Sequence, residues 1–289
     1  QQLYDDAYDG PHFDWPPYRK VEETEDQVNH ARMLYAATVS MCDRYLGDLL
    51  DFMDKHEMWG DTMLIVTTDH GFLLGEHNWW AKNIPPMYNE LVHIPLFIWD
   101  PTHGRAGTRV TSLSQTIDIP ATILDAYGLD LPRDMVGHSL RNMLHTDQPV
   151  RDGCIFGIFG GHVNVTDGRY VYFRSPRDSG NKPLYNYTLM PTHINRRFAV
   201  EELKEVEFSE TMECAKGLRL MKVPVRTPPI RTLQHEMDSA LYDLHTDPKQ
   251  EVPIDDPVTE NRLIDLMVRT MRIHDAPVEQ YKRLALDAR

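Results

Sequence analysis

The sequence predicts an α/β segment over residues 1–150, followed by a small α+β unit with an antiparallel sheet over 151–289. Three patterns carry that expectation. A long amphipathic helix pattern follows Thr24. Two short, nearly all-apolar runs at 63–67 and 94–99 alternate with helical stretches, as strands of a layered α/β domain do. Beyond about Val150 the pattern turns to strand and hairpin, with one late amphipathic helix.

The elements follow in chain order. Residues 1–23 are rich in Tyr, Asp and Pro without periodicity and read as an ordered or extended loop. Thr24-Glu25-Asp26-Gln27 is a capping-box pattern. Val28, Ala31, Tyr35, Val39, Cys42, Leu46, Leu49 and Met53 then recur at three- and four-residue steps, which makes Cys42 a packed core residue. Gly60 closes the helical segment. Met63 to Thr67 reads as a strand buried on both faces of a parallel or mixed sheet, and Ile94 to Trp99 as a second strand. A helix lies between Gln115 and Gly128, with Asp118 as its cap, Pro120 in its first turn and Gly128 past its end. Cys154 to Phe159 is strand-like, and residues 163–173 form a hairpin turning on Asp167-Gly168. The polar stretch to about residue 235 has no clear pattern. Asn261 to His274 places Leu263, Leu266, Met267 and Met271 on one helical face.

Composition narrows the function. A net charge of -14 argues against a nucleic-acid partner, which needs clustered Lys and Arg. An anionic substrate would be repelled overall, so a local cation or metal would have to hold it. The apolar runs are too short to span a bilayer. The opening Gln1-Gln2-Leu3-Tyr4-Asp5-Asp6 has no signal-peptide character, and compartment is not legible. Cys42, Cys154 and Cys214 are odd in number and widely spaced, neither a disulfide framework nor a metal knuckle. Asn164-Val165-Thr166 and Asn186-Tyr187-Thr188 are formal glycosylation sequons that establish nothing about secretion, and Arg196-Arg197 reads as a solvated pair.

Chemistry concentrates in residues 67–83, Thr67-Thr68-Asp69-His70-Gly71 through Trp79-Trp80-Ala81-Lys82-Asn83. Ligands of α/β sheets gather beyond the carboxyl ends of strands. Asp69 and His70 follow the apolar strand directly, and a carboxylate beside an imidazole suits a divalent cation. An isolated Asp-His-Gly equally suits a capped turn. Lys82 tips the balance, since a cation twelve residues after His70 in a Gly- and Trp-rich loop can hold an anion beside a metal. Trp79 and Trp80 either wall such a pocket or belong to the core.

The order Thr-Asp-His-Gly, then Leu74-Gly75-Glu76-His77, then Trp80-Ala81-Lys82 resembles the C-terminal metal-binding segment of the sulfatase family, within the alkaline phosphatase superfamily. It is most similar to the subgroup of iduronate sulfatase and bacterial sulfatases. Residues 36–47, His93-Ile94-Pro95-Leu96, Thr116 to Leu124 with Gly137-His138-Ser139-Leu140, and Leu241-Tyr242-Asp243-Leu244 with Asp247-Pro248 resemble family segments in the same order. The resemblance implies a mixed-sheet, alkaline-phosphatase-like large domain and a small C-terminal subdomain. It implies that Asp69 and His70 bind a divalent cation, usually calcium, with magnesium or manganese open. It further implies that Lys82 is catalytic and contacts the sulfate ester oxygens of a sulfated small molecule or glycan. Trp80 and His77 are weaker substrate-side candidates; His77 matches the motif without a clear catalytic duty.

The family nucleophile is a formylglycine made from Cys or Ser in a C/S-x-P-x-R sequence, and no such sequence occurs here; the family's Asp-Asp metal pair is absent too. The resulting expectation is that the nucleophile-bearing N-terminal half is a missing partner and that this chain alone is inactive, exposing sheet edge and core. Two other readings stay open: a phosphate or phosphonate ester hydrolase of the same superfamily, and a non-catalytic binding or assembly chain.

Overall fold

The computed structural model describes residues 18–103, 105–193, 195–225 and 237–286. These residues divide into two units, one ending at Thr108 and the other starting at Arg109. The expected loop over 1–23 therefore lies mostly outside the described residues.

In the first unit, helix α1 (Glu25–Lys55) begins where its sequence says it should. The Thr24 hydroxyl accepts from the Gln27 backbone N–H, and the Gln27 side chain accepts from the Thr24 N–H in return. Strand β1 (Leu64–Thr67) is followed by a short pair, β2 (Leu73–Leu74) and β3 (Trp80–Ala81). A one-turn helix α2 (Asn89–Val92) leads into β4 (Leu96–Trp99). The β1 strand pairs with β4 in antiparallel register, Leu64 opposite Trp99 and Thr67 opposite Leu96.

Two expectations are corrected here. The α1 stripe is buried only at its ends, at Val28, Ala31 and Met53. Tyr35, Val39 and Leu49 are exposed, and Cys42 is an exposed thiol rather than a core residue. Its 3.6-residue period encodes an apolar face, but no described element covers the middle of it. For the same reason β1 is half-buried to exposed instead of buried on both faces, since among the described residues β4 is its one neighbour.

The second unit opens with α3 (Asp118–Ala126) and α4 (Arg141–Thr146). Asp118 is not a cap that bonds its own helix. Its buried carboxylate accepts from the Gln115 N–H and, twenty residues on, from the His138 N–H, and it pairs two-pronged with Arg151. One turn later the Thr122 hydroxyl accepts from the Leu140 N–H at 2.9 Å. The Asp118 and Thr122 side chains thus bind the backbone of Gly137-His138-Ser139-Leu140. A Cβ on Gly137 would sit 1.9 Å from the Ile117 carbonyl oxygen, so only glycine permits that approach.

Strands β5 (Cys154–Gly157), β6 (Val163–Thr166) and β7 (Tyr170–Arg174) form an antiparallel meander, with Gly168 at φ +94° in the predicted hairpin turn. The unpatterned stretch holds a second antiparallel sheet: β8 (Tyr185–Thr188), a one-turn α5 (Val200–Leu203), β9 (Glu207–Met212) and β10 (Leu218–Pro224), in the order β8-β10-β9. Strand β11 (Ala240–Asp243) then returns to pair with β7. Helices α6 (Pro257–Ile273) and α7 (Val278–Arg283) close the chain. Asp256 caps α6, and the predicted face of Leu263, Leu266, Met267 and Met271 is buried against the β5-β6-β7-β11 sheet. Each such side chain contributes about 1.5–3 kcal/mol by leaving water.

In the first sequon, Asn164 is fully buried with its amide donating to the Phe156 carbonyl at 3.2 Å, so the folded chain offers no acceptor there. Arg196 and Arg197 are exposed, with Arg196 paired to Glu202.

The second unit also carries its own acid sensitivity. Hydrogen bonds from Ser112 and then Thr111 hold the Asp147 carboxyl at about 2, below its ordinary 3.8. The Ala199 N–H, followed by His193 and Arg196, holds Glu202 at about 2, below 4.5. Depressed carboxyls stabilise the fold above their unfolded values and lose that contribution as pH falls through the folded ones. Melting temperature should therefore be flat above about pH 5 and fall between about 4.5 and 2. Asp147→Asn should flatten part of that fall in a pH series of thermal melts; an unchanged profile would rule Asp147 out.

Candidate active site

Asp69 and His70 lie immediately beyond the carboxyl end of β1, whose last residue is tied to the start of β4 by the Thr67 hydroxyl on the Pro95 carbonyl at 2.9 Å. Gly71 then lets the chain turn closely past α2. Its N–H donates to the Leu91 carbonyl at 2.8 Å, and a Cβ there would lie 1.6 Å from the Glu90 carbonyl oxygen. Because that obstacle is backbone, Gly71→Ala should cost about 3 kcal/mol as overpacking and displace the loop. Urea unfolding would read the loss, and a change under about 0.5 kcal/mol, as for an ordinary surface site, would contradict the close approach.

The His70 ring places Nδ1 2.8 Å from the Gly71 carbonyl, a contact that requires the proton on Nδ1. Nε2 is then the ring nitrogen turned away from the backbone. It lies 3.1 Å from Asp69 Oδ2 and in contact with Lys82 Nζ. Burial works against the charge of Asp69, but His70, the Asp69 and His70 N–H groups and Lys82 outweigh it and hold the carboxyl below its ordinary value. Three residues chosen from sequence therefore meet.

The donor pair suits a divalent cation only in part. A hard cation takes six or more ligands, and among the described residues no group of three or more His, Cys, Asp or Glu side chains forms a metal cluster. Asp69 and His70 fit as two ligands of a larger set.

The two weaker candidates sit differently. Trp80 is 2% exposed, packed with Val28, Ala31, Leu74 and Ala81, and its indole N–H donates to Glu23 at 2.6 Å. Burial leaves little of the Trp80 ring for a ligand. His77 Nε2 lies 3.3 Å from Glu90, and its ring stacks on Tyr88 with centroids 3.6 Å apart. Those contacts make His77 a loop anchor in this arrangement. Sequence reasoning missed Glu23, Tyr88 and Glu90, which act through pairings with no local spacing signal. An open concavity of about 560 Å³ belongs to the second unit, and none of the predicted site residues lines it; two of its arginines, Arg262 and Arg269, are matched by Asp167 and Asp152. No helix among the described residues is long and apolar enough to cross a membrane.

Comparison with known proteins bears on the family. Residues 7–129 match the sulfatase family model, and residues 75–207 match the model for N-sulphoglucosamine sulphohydrolase, C-terminal. An N-acetylglucosamine-6-O-sulfatase of Bacteroides thetaiotaomicron is 36% identical over 113 residues, 39% of this chain and 20% of the relative. An arylsulfatase of Clostridium perfringens is 25% identical over 186 residues, 62% of this chain and 38% of the relative. A multifunctional alkaline phosphatase superfamily protein of Trinickia caryophylli is 35% identical over 127 residues, 43% of this chain and 24% of the relative. The chain thus spans 20–38% of the length of these relatives.

A structure solved with its substrate D-glucosamine-2-N,6-O-disulfate shares the fold at a TM-score of 0.59 and 20% identity, over 86% of this chain and 42% of that one. The phosphonate monoester hydrolase of Agrobacterium radiobacter does so at 0.55 and 20%, over 87% and 42%. The expected α/β architecture with antiparallel sheet in its later part is therefore borne out. The two overlapping family matches together cover residues 7–207 and, with the sulfatase relatives, identify that stretch as sulfatase family, in a placement consistent with that family's C-terminal region.

Proposed function

We propose that this chain forms the substrate-anion and metal side of an enzyme that hydrolyses sulfate esters, with sulfated sugars as the substrate class. The observation that carries the reading is the meeting of Asp69, His70 and Lys82 at the end of β1. The sulfated-glucosamine substrate of a structural relative supports the substrate class.

In this reading Asp69 and His70 are two ligands of a divalent cation, calcium first and magnesium or manganese as alternatives. The bound cation would supply charge stabilisation at the transferred group. Lys82 binds an ester oxygen and stabilises the negative charge that grows on the transferred group as the ester bond breaks. The hydrogen bond from His70 Nδ1 to Gly71 fixes the ring so that Nε2 faces the site. A formylglycine nucleophile and the remaining metal ligands are proposed to come from a nucleophile-bearing segment outside these 289 residues, which acts as this chain's partner. That partner would also cover the exposed α1 face at Tyr35, Val39 and Leu49. The chain alone is accordingly proposed to be inactive. The division of the whole enzyme near residue 150 into a large and a small domain stands as part of the same proposal.

A second reading, hydrolysis of phosphate or phosphonate esters, is supported by the Trinickia relative and the Agrobacterium fold match. The full-length gene product should be assayed at equal concentrations of an aryl sulfate, an aryl phosphodiester and an aryl phosphonate monoester, before and after chelation. Preference for the sulfate, lost with chelator, supports the first reading. Preference for either phosphorus ester supports the second, and no turnover of any ester would leave a binding role.

A further inference from the structure

We infer that Glu90 is a positioning residue for Lys82, acting through His77. His70 and Lys82 stand at opposite ends of the loop 71–81, and their contact depends on the path between them. That path is strained. His77, Asn78 and Ala81 take left-handed backbone, at φ 53°, 62° and 63°, as does Asn83 just past Lys82, at 77°. Each such residue costs on the order of 1 kcal/mol or more outside glycine, so the conformation persists only where neighbours hold it.

Two structures hold it. On one side the α1 region grips the loop: Arg32 donates to the Leu74 carbonyl at 2.9 Å, the Val21 N–H to Asn78 at 3.0 Å, and the Trp80 N–H to Arg19 at 3.0 Å. On the other side stands α2, where one residue touches the loop twice. The Glu90 backbone is what Gly71 passes so closely, and the Glu90 carboxylate reaches His77 Nε2 at 3.3 Å. Tyr88, the residue before α2, stacks flat on the same imidazole, with ring planes 8° apart. Glu90 therefore sets the separation between residue 71, where the loop leaves the Asp69-His70 pair, and residue 77, its strained midpoint. From there the β2-β3 pairing of Leu73 with Ala81 returns the chain to place Lys82 on His70. His77, with its imidazole engaged on Glu90 and Tyr88, is the intermediary.

The catalytic meaning of this device rests on the reading of Lys82 as the cation that meets the substrate, but the test needs no turnover, so the two ideas fail separately. Competitive acylation of lysines, quantified by mass spectrometry, would be run on the full 289-residue chain. Exposed Lys55 and Lys249 serve as internal standards. In Glu90→Ala and in His77→Ala the relative labelling of Lys82 should rise roughly three- to tenfold, the net worth of one typical hydrogen bond. The double variant should rise no further, since both act through one contact. Glu90→Gln, which keeps a hydrogen-bonding group at His77, should restore most of the protection at an unchanged melting temperature. If Glu90→Ala fails to fold, His77→Ala and Tyr88→Leu carry the same test. Lys82 labelling that stays at the wild-type level in the folded variants would overturn the proposal, as would an increase shared by Lys55 and Lys249, which reports general loosening.

Discussion

Lys82→Ala in the full-length enzyme should lower the rate of sulfate release about a hundred- to a thousandfold, the usual loss on removing one preorganised charge-stabilising donor. The reason lies in the geometry. The Lys82 ammonium is already seated against His70 Nε2 beside the Asp69 carboxylate, so it needs no reorganisation to meet an anionic group delivered there. The protein as a whole carries a net charge of -14 and repels such a group, which makes a local cation decisive. Lys82→Arg should recover only part of the rate, because a planar fork does not reproduce a point charge. Steady-state kinetics on an aryl sulfate would measure both. A loss below about twofold, within the range of an ordinary surface substitution, would place Lys82 away from the reacting group.

The second large effect is expected in stability. Asp118→Ala should destabilise the second unit by about 3–5 kcal/mol, because it leaves Arg151 charged and without its carboxylate. Asp118 is fully buried and the Arg151 side chain is 9% exposed, so water cannot replace the lost partner. The same substitution unties the His138 N–H and the Gln115 N–H. Replacing the pair together, with Asp118→Leu and Arg151→Met, should cost less than the single change, since no uncompensated charge remains. Denaturant unfolding monitored by far-ultraviolet circular dichroism would compare them. Equal losses for the single and double variants would show that the backbone contacts of Asp118, not its pairing with Arg151, carry the stability.

The fold was legible where local chemistry decides it. The capping box at Thr24, the Asp167-Gly168 turn and the apolar face of α6 all act within a few residues, and all three are found in place. Strand β1 and the middle of α1 were harder for a physical reason. Their apolar patterns encode burial against a neighbour, and the described residues supply β4 on one edge and little over Val39, Cys42 and Leu49. The sheet β8-β10-β9 escaped notice because its strands lie largely half-buried or exposed and are held by pairing between segments up to 39 residues apart, such as Pro224 with Tyr185.

The site divides in the same way. Asp69, His70 and Lys82 were legible from residue types following a strand, and the resemblance to sulfatases gave them roles. Glu90, Tyr88 and Glu23 were not, because their contacts join elements that only the fold brings together: Glu23 lies 57 residues from Trp80, and Glu90 meets both Gly71 and His77 from a separate helix. Trp80 stayed ambiguous for a related reason, since a large aromatic beside a charged motif looks the same in sequence whether it faces the ligand or the core.

The most direct test of the central claim is sulfate release from an aryl sulfate by the full-length gene product and by this 289-residue chain, measured side by side with calcium present. Turnover by the full-length protein alone, restored to the chain when a separately produced nucleophile-bearing segment is added, is the predicted result. Turnover by the purified chain without that segment would contradict the account, because it would mean that these residues hold a nucleophile of their own.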